Sequence, residues 1–251
     1  MTEHGYALVH HRDAPFLTYT LASEPPFFEA RLFLRGPFMD EAEGDSKRAR
    51  RLLSAVVPVK GALVAPKQVH GSHIIEATPS AALPACPAGD GVYLERTDME
   101  ASLRFADCLP VVIASDVPTP RMVILHSGYK GTVLNIAGKA CENYFSEARR
   151  SSRLWAWVGP GIGRDFYFRR LGEEWTTQGI GSFEEANMTV ADGVVHFDLA
   201  GQVRHQLLTG GLRQENISVI PICTFRRNEL CYSYRRGDRG GHLFLLASLN
   251  G

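Results

Sequence analysis

The sequence predicts a layered α/β mixture, and three features carry that prediction. Apolar runs of strand length recur along the chain, among them Leu109–Ser115 and Leu243–Ala247. Two stretches, Thr132–Phe145 and Asp198–Leu208, place apolar residues at helical spacing. Strands and helices follow one another without the strict βαβ alternation of a Rossmann or barrel repeat. With 251 residues, 45% of them hydrophobic and 22% charged, the chain has ordinary globular composition. No loop-like stretch is long enough to mark a boundary, so one domain over residues 1–251 is expected.

Each element has its own signal. Ala30–Arg35 alternates as a half-buried strand, with Leu32 and Leu34 inward and Phe33 the exception. Asp45 can cap a helix through about Val56, with Leu52, Leu53 and Val56 on one stripe. Gly61–Val69, Ser102–Ala106, Pro110–Ser115 and Met122–Leu125 read as strands. Pro110–Ser115 is apolar throughout, which predicts burial on both faces. The helix over Thr132–Phe145 would bury Val133, Ile136, Ala137, Ala140, Cys141 and Tyr144. Leu154–Val158 is a strand, Asp198 caps a helix that turns Leu199, Val203 and Leu207 inward, and Ile217–Ile222 and Leu243–Leu246 are the closing strands. Loops are expected at Asp40–Asp45, at Thr78–Gly91 with its Pro79, Pro84, Pro87 and Gly89, and at Asp116–Arg121.

Charge and cysteine content narrow the function classes. Lys plus Arg and Asp plus Glu are 27 each, so the neutral chain lacks the basic footprint of a nucleic-acid binder. No apolar run approaches the about 20 residues of a membrane span. The first residues lack the charged-then-apolar order of a signal peptide, so a soluble, cytoplasmic protein is expected. Cys86, Cys108, Cys141, Cys223 and Cys231 form no CxxC pair and no dense framework, and read as buried or free thiols unless a neighbour says otherwise.

For Cys108 neighbours do. His70 ends a strand before Gly71, Cys108 follows one just before Pro110, and His126 ends one before Gly128. Side chains at strand ends beside chain breakers can converge on one rim of a sheet. Two imidazoles and a thiolate make three-ligand zinc coordination with a fourth position open. The same Cys108 and His126 could instead be a nucleophile and its base, with Asp107 orienting the base, or simply buried residues. Ser127-Gly128-Tyr129-Lys130-Gly131-Thr132 forms a strand-to-helix turn that could seat an anion beside Lys130. Tyr232-Ser233-Tyr234-Arg235-Arg236 could clamp phosphate through Arg235 and Arg236 while its rings stack on a base or sugar, or could be a solvated turn. Gly159-Pro160-Gly161-Ile162-Gly163 lacks dinucleotide spacing and reads as a tight loop lining a pocket.

Together these segments resemble the YfiH family, long labelled polyphenol oxidase or laccase and now understood as purine nucleoside phosphorylases. The resemblance rests on Gln68-Val69-His70-Gly71, Ala106-Asp107-Cys108-Leu109-Pro110, His126 through Gly131, Gly159 through Gly163, Asp198-Leu199-Ala200, Cys223-Thr224 and Tyr232 through Arg236. It implies a sandwich of two mixed sheets flanked by helices, and zinc on His70, Cys108 and His126. It also implies phosphorolysis of adenosine, inosine, guanosine or methylthioadenosine, with adenosine deamination as a second activity. The implied partners are purine nucleosides and phosphate; the neutral chain gives no sign of nucleic-acid or membrane partners, and the sequence leaves monomer and homodimer both open. Arg50, Arg235 and Arg236 would then bind phosphate or substrate.

Two departures stand out. Where the family has HAGWRG, this chain has Tyr129 for Trp and Lys130 for Arg, and lysine lacks the planar fork. The family's Thr-Arg-x-Gly-Gly and Asn-Leu-Gly motifs have no clean counterparts around Thr18–Ser23 and Leu32–Gly36. The older laccase label meets a chemical obstacle, since four coppers need many histidines in His-x-His pairs. This chain has nine histidines and no such pair, so copper is expected only as an adventitious substitute. A metal-free cysteine hydrolase and a non-catalytic zinc-binding relative are the alternatives.

Overall fold

The computed structural model describes residues 4–21, 26–78 and 86–250. The chain opens with β1 (His4–Val9), β2 (Phe16–Leu21) and β3 (Phe28–Phe33), followed by α1 (Pro37–Ala42) and α2 (Ser46–Leu53). The middle supplies β4 (Ala62–Val64), β5 (Ile74–Glu76), β6 (Gly91–Leu94), β7 (Met99–Phe105), β8 (Leu109–Ser115) and β9 (Arg121–Ser127). Next come α3 (Tyr129–Val133), α4 (Ile136–Tyr144), β10 (Leu154–Val158), β11 (Phe168–Arg170) and α5 (Glu174–Ser182). The chain closes with β12 (Met188–Ala191), β13 (Val194–Phe197), α6 (Leu199–Thr209), β14 (Ile217–Val219) and β15 (Leu243–Leu249).

Two mixed six-stranded sheets form the sandwich, in the orders β1-β2-β3-β15-β7-β4 and β14-β10-β8-β9-β6-β5. Strand β15 is inserted between β3 and β7, where Leu245 faces Leu32 on one side and Leu103 on the other. The doubly buried strand expected at Pro110–Ser115 is β8, and its alternation separates two cores. Val112 and Ala114 join Ile124, Trp155 and Trp157 between the sheets. Val111 and Ile113 join Val123, Leu125 and Ala156 beneath α4 and α6. Helix α2 lies against β7 of the first sheet. The layered α+β sandwich is therefore as expected, with a third sheet, β11-β13-β12, added beside it.

Several boundaries move for identifiable reasons. The helix expected over Thr132–Phe145 is two helices, because Asn135 takes a left-handed conformation (φ 57°) and its side chain caps α4 by accepting from the Gly138 N–H. The loop expected from Asp40 begins as α1, which Pro37 starts at a position where no N–H is needed. Helix α2, capped by the Asp45 carboxylate, stops at Leu53 ahead of Pro58. The strand expected over Gly61–Val69 ends at Val64 before Pro66, and that over Ile217–Ile222 ends at Val219 before Pro221. Part of the Thr78–Gly91 loop, with Pro79 and Pro84, lies outside the described residues, as does the end of Thr18–Ser23.

Candidate metal centre and its cleft

Strands β8 and β9 pair antiparallel with Leu109 opposite Ser127 and Pro110 opposite His126. This register carries Cys108, one residue before β8, to the end of β9 that holds His126. His70 reaches the same place from a loop in which its own backbone is left-handed (φ 59°). The ligand atoms of His70, Cys108 and His126 all lie within 4.8 Å of one another. Space for them depends on Gly128, where a Cβ would stand 2.7 Å from Cys108 Sγ and 3.3 Å from His70 Cδ2.

The organising residue is Asp90, which no motif or spacing in the sequence singles out. It is fully buried, and its carboxylate accepts hydrogen bonds from the backbone N–H groups of Val69, His70 and Gly71 at 3.2, 2.9 and 2.7 Å. The same carboxylate lies 2.8 Å from His126 Nδ1, and the Asp90 carbonyl accepts from the His126 N–H at 2.7 Å. One side chain thus sets the His70 loop and holds the His126 tautomer that leaves Nε2 free to ligate. Burial alone would raise the Asp90 carboxyl, but the His126 hydrogen bond and the Gly71 and Val69 N–H groups outweigh it and hold it below the usual carboxylate range. Burial pushes the His126 imidazole down, toward the neutral form a metal needs.

Asp107 does not orient a histidine, contrary to one sequence expectation. Its carboxylate accepts from Thr224 Oγ1 and from the Arg235 N–H, both at 2.7 Å, and its carbonyl accepts from the Ile162 N–H at 2.9 Å. These bonds hold Asp107 at φ 85°, a conformation costly for a residue with a Cβ. They also explain the Gly159–Gly163 loop, which packs on the Cys108 turn so closely that a Cβ at Gly161 would come within 2.3 Å of Leu109. Burial, then the Asp107 and Asp90 charges, push the Cys108 thiol up to about 12. Such a thiol is a poor nucleophile near neutral pH, and it becomes a strong ligand once a metal displaces its proton.

The trio opens onto a cleft of about 730 Å³ that also receives Lys130, Tyr167, Arg169, Tyr234 and Arg235. Lys130 Nζ sits 4.6 Å from the Trp175 ring centroid, and the Arg235 guanidinium lies over Phe168 at 4.9 Å. Arg236 faces away, donating to the Phe225 carbonyl at 3.0 Å and resting on that ring. The aromatic–arginine segment therefore splits. Tyr232 is core, donating to Asp40 Oδ1 at 2.6 Å, while Tyr234 and Arg235 line the cleft. Arg50 does not reach the cleft and is ion-paired with Glu100 at 2.6 Å inside the protein. The Lys130 helix has five residues, and Thr132 closes its first turn by donating to the Gly128 carbonyl at 3.0 Å. Tyr129, at the family's tryptophan position, is buried against Tyr167 and Phe197 and donates to the Trp175 carbonyl at 2.8 Å.

A two-sheet α+β sandwich with a His–Cys–His cradle at its strand ends defines a class of protein able to hold a metal ion in an open cleft; two imidazoles and a thiolate suit zinc and leave room for a fourth ligand. The chain belongs to the family described as multi-copper polyphenol oxidoreductase laccase, whose model matches residues 23–250. It is 28% identical over 197 residues to a purine nucleoside phosphorylase of Synechocystis, covering 68% of this chain and 73% of that protein. With purine nucleoside phosphorylase YlmD of Bacillus subtilis it shares 31% identity over 159 residues, 62% of this chain and 56% of that one. A protein named adenosine deaminase RL5, from an unknown prokaryotic organism, is 28% identical over 148 residues, 55% of this chain and 54% of that protein. The crystal structure of YlmD from Geobacillus stearothermophilus matches with a TM-score of 0.78 at 23% identity, over 98% of this chain and 100% of that one.

Proposed function

We propose that this chain is a zinc-dependent purine nucleoside phosphorylase acting on adenosine, inosine, guanosine or methylthioadenosine, with adenosine deamination as a second activity. The observation that carries this reading is the His70–Cys108–His126 trio opening onto a cleft lined by cations and aromatic rings. The names of the relatives support the substrate class.

When bound by the trio, zinc supplies Lewis acidity that lowers the pKa of water toward neutrality, the chemistry deamination requires; copper would enter only as an adventitious substitute. The chain's own groups do the rest. Asp90 fixes His126 and the His70 loop, so the ligands need no reorganisation. The exposed ring of Tyr234 offers a face for a purine to stack on. Lys130 and Arg235 provide positive charge toward a phosphate that must reach the anomeric carbon while the base departs through a cationic transition state.

Chromatography of adenosine and inosine after incubation with zinc-loaded protein, with and without phosphate, tests the reading. Phosphate-dependent release of adenine and hypoxanthine, abolished in Cys108→Ala, is the expected result. Turnover that resists chelation but falls to iodoacetamide would mark a metal-free cysteine hydrolase instead. Tight zinc binding with no turnover of either nucleoside would leave a non-catalytic zinc protein.

A further inference from the structure

Among the described residues, one partly buried cation in the cleft has no counter-charge. Arg104, on β7, is half-buried and lines the cleft. Its backbone is clamped by Gln68, whose side-chain oxygen accepts the Arg104 N–H at 2.9 Å and whose amide donates to the Arg104 carbonyl at 2.8 Å. The guanidinium donates from Nη1 to the Gly44 carbonyl at 2.6 Å. Among the described residues the rest of that guanidinium has no hydrogen-bonding partner, and no carboxylate lies within ion-pair distance.

The other cleft cations are accounted for. Lys130, Arg235 and Arg239 are exposed and rest on the rings of Trp175, Phe168 and Tyr234, at 4.6, 4.9 and 3.9 Å. Arg169 is half-buried but paired with Glu173 at 2.8 Å. Among the described residues Arg104 is the one partly buried cation of the cleft that no carboxylate neutralises, and its uncommitted nitrogens stay open to the cleft. His242 lines the cleft as well. Burial and the Arg104 charge hold its imidazole below the ordinary range, so it adds no second positive charge at neutral pH. With Nδ1 bonded to the Gly240 carbonyl at 3.1 Å, its Nε2 is left as an acceptor. A guanidinium with one edge free beside a neutral acceptor matches an oxyanion with two oxygens to give and one proton to share, as hydrogen phosphate has.

We propose that Arg104 is the anion anchor of the cleft, binding a phosphate group through the open side of its guanidinium. The group is either free phosphate or phosphate carried by a nucleotide. Its identity as the attacking co-substrate rests on the phosphorylase reading, whereas the subsite itself does not.

Calorimetric titration of zinc-loaded protein with inorganic phosphate, AMP and adenosine, for the wild type, Arg104→Met and Arg104→Lys, tests this. Arg104→Met is expected to weaken phosphate binding by about tenfold or more, with adenosine binding and zinc content unchanged. Arg104→Lys should recover part of the loss, since it keeps the charge without the fork. If AMP binding rather than free phosphate binding depends on Arg104, the anchor stands and its anion is the nucleotide's own phosphate. Equal phosphate and AMP affinities in wild type and Arg104→Met would overturn the proposal, as would a wild type that binds neither. Phosphate binding that depends on Arg104 in a protein that turns over no nucleoside would end the phosphorylase reading and leave the subsite standing.

Discussion

Asp90 shows how much of the site one unremarked residue can carry. The candidate trio is legible in the sequence because His70, Cys108 and His126 each stand beside a chain breaker, whereas Asp90 sits between Gly89 and Gly91 with no spacing to give it away. Its role comes from three backbone N–H groups and one imidazole that meet only in the folded chain. Asp90→Asn would present an amide that can donate to His126 Nδ1, moving the imidazole proton to the ligating nitrogen. The expected outcome is a zinc dissociation constant raised by about 10–100-fold, read by competition with a chromophoric chelator. The pH dependence has a definite sign. The folded-state carboxyl lies below its unfolded value near 4, so its contribution to stability is present above that pH and is lost as pH falls through the folded value. Metal-free wild type should therefore lose melting temperature as the pH drops below about 4, and Asp90→Asn should lack that component.

At the scale of elements, periodicity reported which way side chains face but not the hand of the backbone. Apolar spacing runs on from Val133 to Tyr144, yet a single left-handed residue, Asn135, separates α3 from α4. The break matters for the cleft because it lets α3 carry Lys130 to the rim while α4 packs against β9. Strand β8 was legible for the opposite reason, since a run apolar on both faces has few other solutions. The short strands β11, β12 and β13 lack such a pattern, and so the Tyr167 and Arg169 wall could not be anticipated. Asn135→Ala removes the cap to Gly138 and puts a Cβ without local hydrogen bonding at φ 57°, for an expected loss of about 1–3 kcal/mol in urea unfolding. Asn135→Gly relieves the backbone while losing the cap, and should stay within about 0.5 kcal/mol of wild type.

Over the whole molecule, sheet order was the least legible level, because pairings such as β15 between β3 and β7 join residues far apart in sequence. Those long-range contacts reassign Arg50. The family resemblance pointed it toward substrate, but α2 lies against β7 and turns Arg50 onto Glu100 through two hydrogen bonds, of 2.6 and 3.0 Å. Arg50 also donates to the Pro58 carbonyl at 3.0 Å, and Glu100 accepts from the Lys60 N–H at 3.1 Å. The pair thereby ties α2, the segment after it and the first sheet together, with side chains only 8% and 2% exposed. Removing one member leaves a buried charge unmatched, so Glu100→Gln and Arg50→Met should each cost about 3–5 kcal/mol in urea unfolding. Arg50→Met combined with Glu100→Leu should recover most of that loss, because an apolar pair has no charge to desolvate. Neither the double variant nor any single variant that remains folded should change the KM for phosphate in the proposed phosphorolysis. Single variants that keep wild-type stability but raise that KM would return Arg50 to the substrate and leave the α2–β7 contact to apolar packing alone.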